Sequence, residues 1–131
     1  MPSAGLLAGL SILVVEDDSD TRTVLSAGLR QHGARVLEAD SGPAGLRMFA
    51  SEHPRVMVVD LSMPEMDGFE FLEAVHELPN GDGRRTPAIA VTAHNSVEDR
   101  VATLKAGFSL HLAKPIEPNG LARVLKSLLS G

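Results

Sequence analysis

Short apolar runs alternate along the chain with longer segments whose apolar residues recur at helical spacing. Three of the runs consist of apolar residues only, a pattern typical of strands that are buried on both faces of a sheet. They are Ile12–Val15, Val56–Val59 and Ala88–Val91. The run over residues 34–39 alternates more and predicts a strand nearer an edge, and Phe108–Leu112 is the fifth candidate strand.

The segments between these runs predict five helices. Two of them, Thr21–Gln31 and a final helix from about Pro118 to Leu129, carry an apolar stripe at intervals of three and four residues. A third helix is predicted over residues 67–78, and Ser41 and Ser96 stand where they can cap the second and fourth helices. Five strands in strict alternation with five helices predict an α/β fold with a doubly wound parallel sheet.

The length and composition fit one globular domain. The chain has 131 residues, of which 44% are hydrophobic and 22% are charged. A formal net charge of −5 without a basic run argues against nucleic-acid binding by this chain, because phosphate contacts need clustered lysine and arginine. There is no cysteine, which excludes disulfides and thiolate metal sites and fits a cytoplasmic protein.

The first ten residues are apolar and small, but they lack the basic start of a signal peptide. The residues that follow are too polar to extend them into a membrane span, so we expect no contact with a membrane. We interpret residues 1–10 as a tail or the remnant of a linker, and residues 11–131 as one domain. Because the last predicted helix reaches the end of the sequence, we expect no effector domain behind it.

Polar residues that can carry chemistry follow four of the five predicted strands. The carboxyl ends of parallel strands share one edge of the sheet, where α/β proteins bind their ligands, so we expect these residues to converge. They are Glu16, Asp17 and Asp18 after the first strand, Asp60 after the third, Thr92 after the fourth and Lys114 after the fifth.

Carboxylates this close together raise one another's pKa or require a cation. Mg²⁺ accepts a few carboxylate ligands together with water and leaves room for phosphate oxygens. In a phosphoryl transfer, Asp60 can be the nucleophile, while the metal, Lys114 and the Thr92 hydroxyl each take one phosphoryl oxygen. Each residue taken singly is more often a turn former, a helix cap or a solvated lysine than a catalytic group. Their convergence is what favours a Mg²⁺–phosphate site.

Four segments of the chain resemble the signatures of bacterial response-regulator receiver domains. They are Ile-Leu-Val-Val-Glu-Asp-Asp (12–18), Val-Val-Asp-Leu-Ser-Met-Pro-Glu-Met-Asp-Gly-Phe-Glu (58–70), Ala-Val-Thr-Ala-His (90–94) and Ala-Lys-Pro-Ile (113–116). The likeness covers about residues 11–130. Each motif is short, but the four together, in this order and spacing, are highly specific.

The resemblance implies a flavodoxin-like sheet of strand order 2-1-3-4-5, with five flanking helices, and a phosphorylation switch. In such domains a histidine kinase donates a phosphoryl group and the receiver catalyses only its own phosphorylation and dephosphorylation. Carried over to this sequence, the acceptor is Asp60, and Thr92 and Lys114 bind the phosphoryl oxygens. The resemblance also implies a cis peptide bond between Lys114 and Pro115.

The resemblance further implies a Mg²⁺ cofactor. Asp17 and Asp60 would bind the metal directly, the backbone carbonyl of Ser62 would assist, and Glu16 would act through a metal-bound water. Phosphorylation is expected to pull the loop after the fourth strand through Thr92. That movement would change a binding face formed by the fourth helix, the fifth strand and the fifth helix.

Three positions depart from the commonest family pattern. His111 stands where the family usually has an aromatic switch residue, and a half-buried surface histidine without a switching role is an equally good interpretation. Ser62 and His94 occupy two positions that tune the rate of dephosphorylation across the family.

Other functions and architectures remain open at this point. The alternatives are a Mg²⁺-dependent phosphatase with an aspartate nucleophile and an interaction module that works without phosphate. The chain is either a stand-alone regulator or the carboxyl-terminal receiver of a hybrid sensor kinase. The sequence leaves open whether phosphorylation leads to a dimer, and it does not identify the downstream protein partner.

Overall fold

The computed structural model of the chain describes residues 5–79 and 81–130 and contains a five-stranded parallel sheet. Its strand order is β2-β1-β3-β4-β5, and every neighbouring pair runs parallel. The strands are β1 (Ser11–Val15), β2 (Arg35–Ala39), β3 (Val56–Asp60), β4 (Ala88–Thr92) and β5 (Leu110–Ala113). The predicted fold class and strand order are confirmed, and β2 lies at an edge as its alternating pattern indicated.

Five α-helices cover the two faces of the sheet. They are α1 (Ser19–Gln31), α2 (Gly42–Glu52), α3 (Gly68–His76), α4 (Val97–Lys105) and α5 (Pro118–Ser130), with a 3₁₀ turn (Asp82–Arg84) before β4. One core layer joins apolar residues of α1 and α5 to the sheet, and the other joins those of α2 and α3 to its opposite face. Because both faces are covered, β3 and β4 are buried along their whole length.

Four helices begin at a side chain that caps their first turn. Asp18 and Ser41 accept hydrogen bonds from backbone N–H groups of α1 and α2. Asp67 and Ser96 each form a reciprocal capping box with the third residue of α3 and α4. Such caps contribute about 1 kcal/mol each. All four lie in loops that follow a strand, so they also fix the loops at the carboxyl edge of the sheet.

Strand β5 begins later than the sequence pattern predicts. Gly107 adopts a left-handed backbone conformation, with φ of 110°. The next residue, Phe108, is buried and packs its ring edge-on against Phe69, with 6.1 Å between ring centroids. Pairing with β4 then starts at Leu110. The apolar character of Phe108 therefore reflects core packing ahead of the strand.

The segment before β1 packs against the carboxyl-terminal end of α1. Leu7 is fully buried and belongs to the same core layer as Leu29 and Ala34. Its backbone N–H donates to the carbonyl of His32 at 2.9 Å. Residues 1–4 of the expected tail lie outside the described residues, as does Gly131, and the boundary at residue 11 stays a prediction. Within the described part of the chain, no helix combines the length and apolarity needed to cross a membrane.

Candidate functional site

The carboxyl ends of β1 and β3 bring three acidic side chains together. Glu16, Asp17 and Asp60 each have a carboxylate oxygen within 4.8 Å of the others'. Glu16 and Asp60 are only 2% and 4% exposed, whereas Asp17 faces solvent. Strand β1 and strand β3 are direct neighbours in the sheet, so the two loops that follow them lie side by side. The structure thus brings together three of the four acidic residues that the sequence placed at this edge, whereas the fourth, Asp18, caps α1.

Lys114, which follows the edge strand β5, joins the same cluster. Its Nζ lies 2.9 Å from Oε1 of Glu16 and 3.5 Å from Oδ1 of Asp60. The residue follows β5, where its backbone N–H donates to the Thr92 carbonyl at 2.8 Å, and the peptide bond to Pro115 is cis, as expected. This ammonium pairs with two of the three carboxylates, so the cluster remains short of positive charge.

The surroundings of the buried Asp60 carboxyl raise its pKa. Burial and, after it, the neighbouring Glu16 carboxyl together raise the pKa of Asp60 to about 7, against the opposing effects of the Ser62 N–H and Lys114. Burial also opposes the charge of Lys114, but the carboxylates of Glu16 and Asp60 outweigh it and raise the pKa of Lys114 above its usual value. Three oxygen-donor carboxylates with incomplete charge compensation fit a hard divalent cation.

Glu16 is held through its backbone as well as its side chain. Its Oε2 accepts from the backbone N–H of Asp18 at 3.1 Å, and its own N–H donates to the Ala39 carbonyl in β2. Its carbonyl accepts a hydrogen bond of 2.8 Å from Nη1 of Arg22. Sequence reasoning did not single out Arg22. The available signal was an arginine at the fourth position of the helix that follows the acidic run.

A second group of predicted residues lines a cavity of about 280 Å³ beside β3 and β4. Ser62, Thr92 and His94 are among its lining residues, together with Asp67 and Asp99. The backbone N–H of Ser62 donates to Oδ1 of Asp60 at 3.1 Å, which orients the carboxyl of Asp60. Thr92 is fully buried, and its Oγ1 accepts from the N–H of His94 at 3.0 Å.

His111 is buried between β5, α4 and the loop after β4, with 8% of its surface exposed. Its Nδ1 lies 2.9 Å from Oγ1 of Thr103, and its Nε2 lies 3.2 Å from the carbonyl oxygen of His94. The Thr103 hydroxyl donates to the Asp99 carbonyl, so it is left with only lone pairs for the imidazole. Both ring nitrogens therefore face acceptors, and His111 ties α4 to the loop that begins at Thr92. Its switching role stays a prediction.

The comparisons with known proteins point to one family. The sequence model of the response regulator receiver domain matches residues 12–126. The chain is 45% identical over 120 residues to an uncharacterised 14.6 kDa protein of Leptolyngbya boryana, covering 92% of this chain and 90% of that protein. It is 37% identical over 118 residues to the transcriptional regulatory protein PrrA of Mycobacterium tuberculosis, covering 90% of this chain but only 49% of PrrA. The chain thus spans about half the length of that relative.

A solved structure supports the same assignment. The receiver domain of the sensor histidine kinase PA1611 from Pseudomonas aeruginosa superposes with a TM-score of 0.84 and 33% sequence identity. The match covers 95% of this chain and all of that domain, whose structure was determined with a magnesium ion coordinated in the active-site cleft.

Proposed function

Since the chain belongs to the response regulator receiver domain family, we propose that it is a phosphorylation-dependent signalling switch whose phosphoryl acceptor is Asp60. The observation that carries this proposal is the cluster at the ends of β1 and β3, where the buried Asp60 carboxyl meets two further carboxylates and the Lys114 ammonium. The phosphoryl donor is a histidine kinase, and the transfer takes place in the cytoplasm. Neither a phosphatase function nor a phosphate-independent function is favoured by the relatives.

The residues at this edge fit a Mg²⁺ cofactor. Asp17 and Asp60 would bind the metal directly, Ser62 would add its backbone carbonyl, and Glu16 would act through a metal-bound water. Bound Mg²⁺ supplies the positive charge that the transferred phosphoryl group needs. The choice is supported by the oxygen-donor set and by the raised pKa of Asp60, which burial and the neighbouring Glu16 carboxyl cause. The magnesium reported for the PA1611 receiver domain agrees with it.

In the transfer itself, a carboxylate oxygen of Asp60 attacks the phosphorus of the donor's phosphohistidine. The new P–O bond forms as the P–N bond breaks, and the imidazole leaves with the donor. Lys114 is already close enough to Asp60 to pair with a phosphoryl oxygen on it. Oγ1 of Thr92 accepts a hydrogen bond from His94, so its own proton is available to a phosphoryl oxygen. The chain catalyses only its own phosphorylation and dephosphorylation.

The switch would follow from the movement of Thr92 toward the phosphoryl group. Such a movement carries the loop that contains His94, whose carbonyl is bonded to His111. The helix 4–strand 5–helix 5 face, formed here by α4, β5 and α5, would then change shape and with it the affinity for a protein partner. Helix α4 already exposes three apolar residues on this side, namely Val97, Val101 and Leu104. Dimerisation on phosphorylation would use an exposed surface of this kind.

The lifetime of the phosphoryl group would depend on Ser62 and His94. Both line the 280 Å³ cavity beside β3 and β4, and we expect a hydrolytic water to approach the acceptor from it. We expect Ser62→Asn and His94→Ala each to change the rate of dephosphorylation several-fold, measured as the decay of the phosphorylated mass. Leu37→Ala, on the edge strand β2 away from this cavity, is the control. Wild-type decay in both site variants would contradict the assignment.

Intact mass spectrometry tests the acceptor. The chain is incubated with Mg²⁺ and acetyl phosphate, alongside Asp60→Asn and the same reaction without metal. We expect a labile gain of one phosphoryl group in the wild type with Mg²⁺ only. A gain that persists in Asp60→Asn would place the phosphoryl group on another residue. No gain in a folded, Mg²⁺-binding wild type would contradict self-catalysed transfer from a small donor.

A further inference from the structure

We propose that Arg22 is a positioning residue for the metal-binding loop, which it holds so that the carboxylates of Glu16 and Asp17 face Asp60. The inference rests on the proposed Mg²⁺ site. It assigns a role to a side chain that touches neither the metal ligands' carboxylates nor the phosphoryl acceptor.

The contact that carries the proposal is made to the backbone of the acidic run. Nη1 of Arg22 donates to the carbonyl oxygen of Glu16 at 2.8 Å. That carbonyl belongs to the peptide unit between Glu16 and Asp17, so the contact fixes the plane of the peptide that joins the two residues. A hydrogen bond from a charged guanidinium is about twice as strong as a neutral one.

The same backbone is held from its other side. The N–H of Glu16 donates to the carbonyl of Ala39 at 3.0 Å, at the end of β2. The first acidic residue is therefore clamped between a neighbouring strand and a side chain of α1. Without the Arg22 contact, the carbonyl of Glu16 loses its charged donor at the point where the chain leaves β1.

Arg22 is itself fixed by an ion pair on β2. Its Nε lies 3.6 Å from Oε1 of Glu38, and the other oxygen of Glu38 lies 3.0 Å from Nη1 of Arg30. The side chain of Arg22 is 19% exposed, so its guanidinium is largely shielded from water. A guanidinium reaches two acceptors with different nitrogens in one plane, which a lysine ammonium on a flexible stem cannot reproduce.

The competing explanation is that Arg22 only attaches α1 to β2. Arg30 provides the matched control, because it lies on the same helix and shares Glu38 but donates its remaining bond to the Val36 carbonyl rather than to the acidic loop. A purely structural network predicts that Arg22→Met and Arg30→Met alter the same properties. A positioning role predicts that only Arg22→Met affects the metal site.

The experiment is a Mg²⁺ titration of the full chain, followed by isothermal calorimetry and by the backbone amide shifts of Glu16 and Asp17. We expect Arg22→Met to raise the Kd for Mg²⁺ about tenfold, the lower end of the effect of removing groups that orient metal ligands. Arg30→Met should keep the wild-type Kd, although both variants lose stability to urea. Arg22→Lys retains the charge and should fall between wild type and Arg22→Met.

Four outcomes would overturn the proposal. An unchanged Kd in Arg22→Met, or equal losses of affinity in Arg22→Met and Arg30→Met, leaves Arg22 a structural residue. If Arg22→Met does not fold, the Kd of Arg22→Lys is measured instead. A wild-type Kd in Arg22→Lys likewise leaves Arg22 a structural residue. A wild type that does not bind Mg²⁺ at millimolar concentration instead contradicts the metal site, and the Arg22 proposal with it.

Discussion

The Asp60 carboxyl lies almost out of contact with solvent and beside the carboxyl of Glu16, and both features oppose its ionisation. At the scale of single residues, this is where the proposed function and the stability of the fold conflict. A phosphoryl acceptor must be a carboxylate to act as a nucleophile, yet the metal-free chain holds that charge in an unfavourable place. Lys114 compensates for part of it.

The conflict predicts a dependence of stability on pH. The pKa of Asp60 rises from its ordinary value of 3.8 to about 7 on folding. Between these values the folded chain retains a proton that the unfolded chain has released, so the contribution of Asp60 to the free energy of unfolding falls as the pH rises. The loss is at most about 1.4 kcal/mol per pH unit for one proton. Above about pH 7 the loss of this contribution to the free energy of unfolding is complete.

Urea unfolding of wild type and Asp60→Asn, without Mg²⁺ and from pH 5 to 8, checks this prediction. We expect the variant to gain stability relative to wild type as the pH rises to about 7, and to keep that advantage above it. Millimolar Mg²⁺ at pH 8 should narrow the gap, because it binds the charged form. Asp40→Asn, at an exposed carboxyl, should show no such trend. A pH-independent difference between wild type and Asp60→Asn would contradict it.

Residue-level chemistry was predictable where it depended on position along the sheet. The side chains at the carboxyl ends of β1, β3 and β5 converge because parallel strands end at one edge, and the sequence places Glu16, Asp60 and Lys114 at those ends. The backbone contact of Arg22 was not predictable in the same way. It depends on which face of α1 turns toward the loop and on how far the side chain extends, and a single sequence does not specify either.

At the scale of elements, α1 and α5 pack unusually closely. A Cβ added to Gly28 of α1 would lie 2.3 Å from Cβ of Pro118, the first residue of α5. Gly120, also in α5, would place its Cβ no nearer than 3.4 Å to a side-chain oxygen of Glu117. Substitutions at these two glycines therefore distinguish the effect of steric contact from the effect of helix propensity.

We expect Gly28→Ala to destabilise the chain by about 1–3 kcal/mol, because overpacking outweighs the propensity gained. Gly120→Ala should stabilise it by up to about 1 kcal/mol, since alanine favours the helix and meets no close neighbour. Urea unfolding midpoints at constant pH measure both changes. Stabilisation by both substitutions would mean that α1 and α5 are not in contact at Gly28.

Element boundaries were predicted best where caps and strand burial agree. Ser41 and Ser96 precede helices whose first turns they cap, and β3 and β4 read as unbroken apolar runs because helices cover both of their faces. The start of β5 was misplaced because Phe108 looks like a strand residue. Its ring instead fills the core against Phe69, a contact between residues far apart in the sequence.

At the scale of the whole molecule, hydrogen bonds connect the end of β4 to α4. Oγ1 of Thr92 accepts from the N–H of His94, and the carbonyl of His94 faces Nε2 of His111. Nδ1 of His111 contacts the hydroxyl of Thr103, which donates to the carbonyl of Asp99. A change at the acceptor site that moves Thr92 therefore alters the surroundings of His111 before it reaches the exposed surface of α4.

NMR of the histidine ring resonances checks this coupling. With Mg²⁺ and the phosphoryl mimic beryllofluoride, we expect the His111 resonances of the wild type to shift because their hydrogen-bond partners move. Thr92→Ala should abolish most of that shift even where the mimic still binds at Asp60, since the loop has lost the hydroxyl that draws it inward. His53 follows α2 and has no part in these contacts, so its resonances serve as the internal control. An unchanged His111 environment in the wild type with the mimic bound would remove His111 from the switch, and an equal shift in Thr92→Ala would show that the signal reaches it by another route.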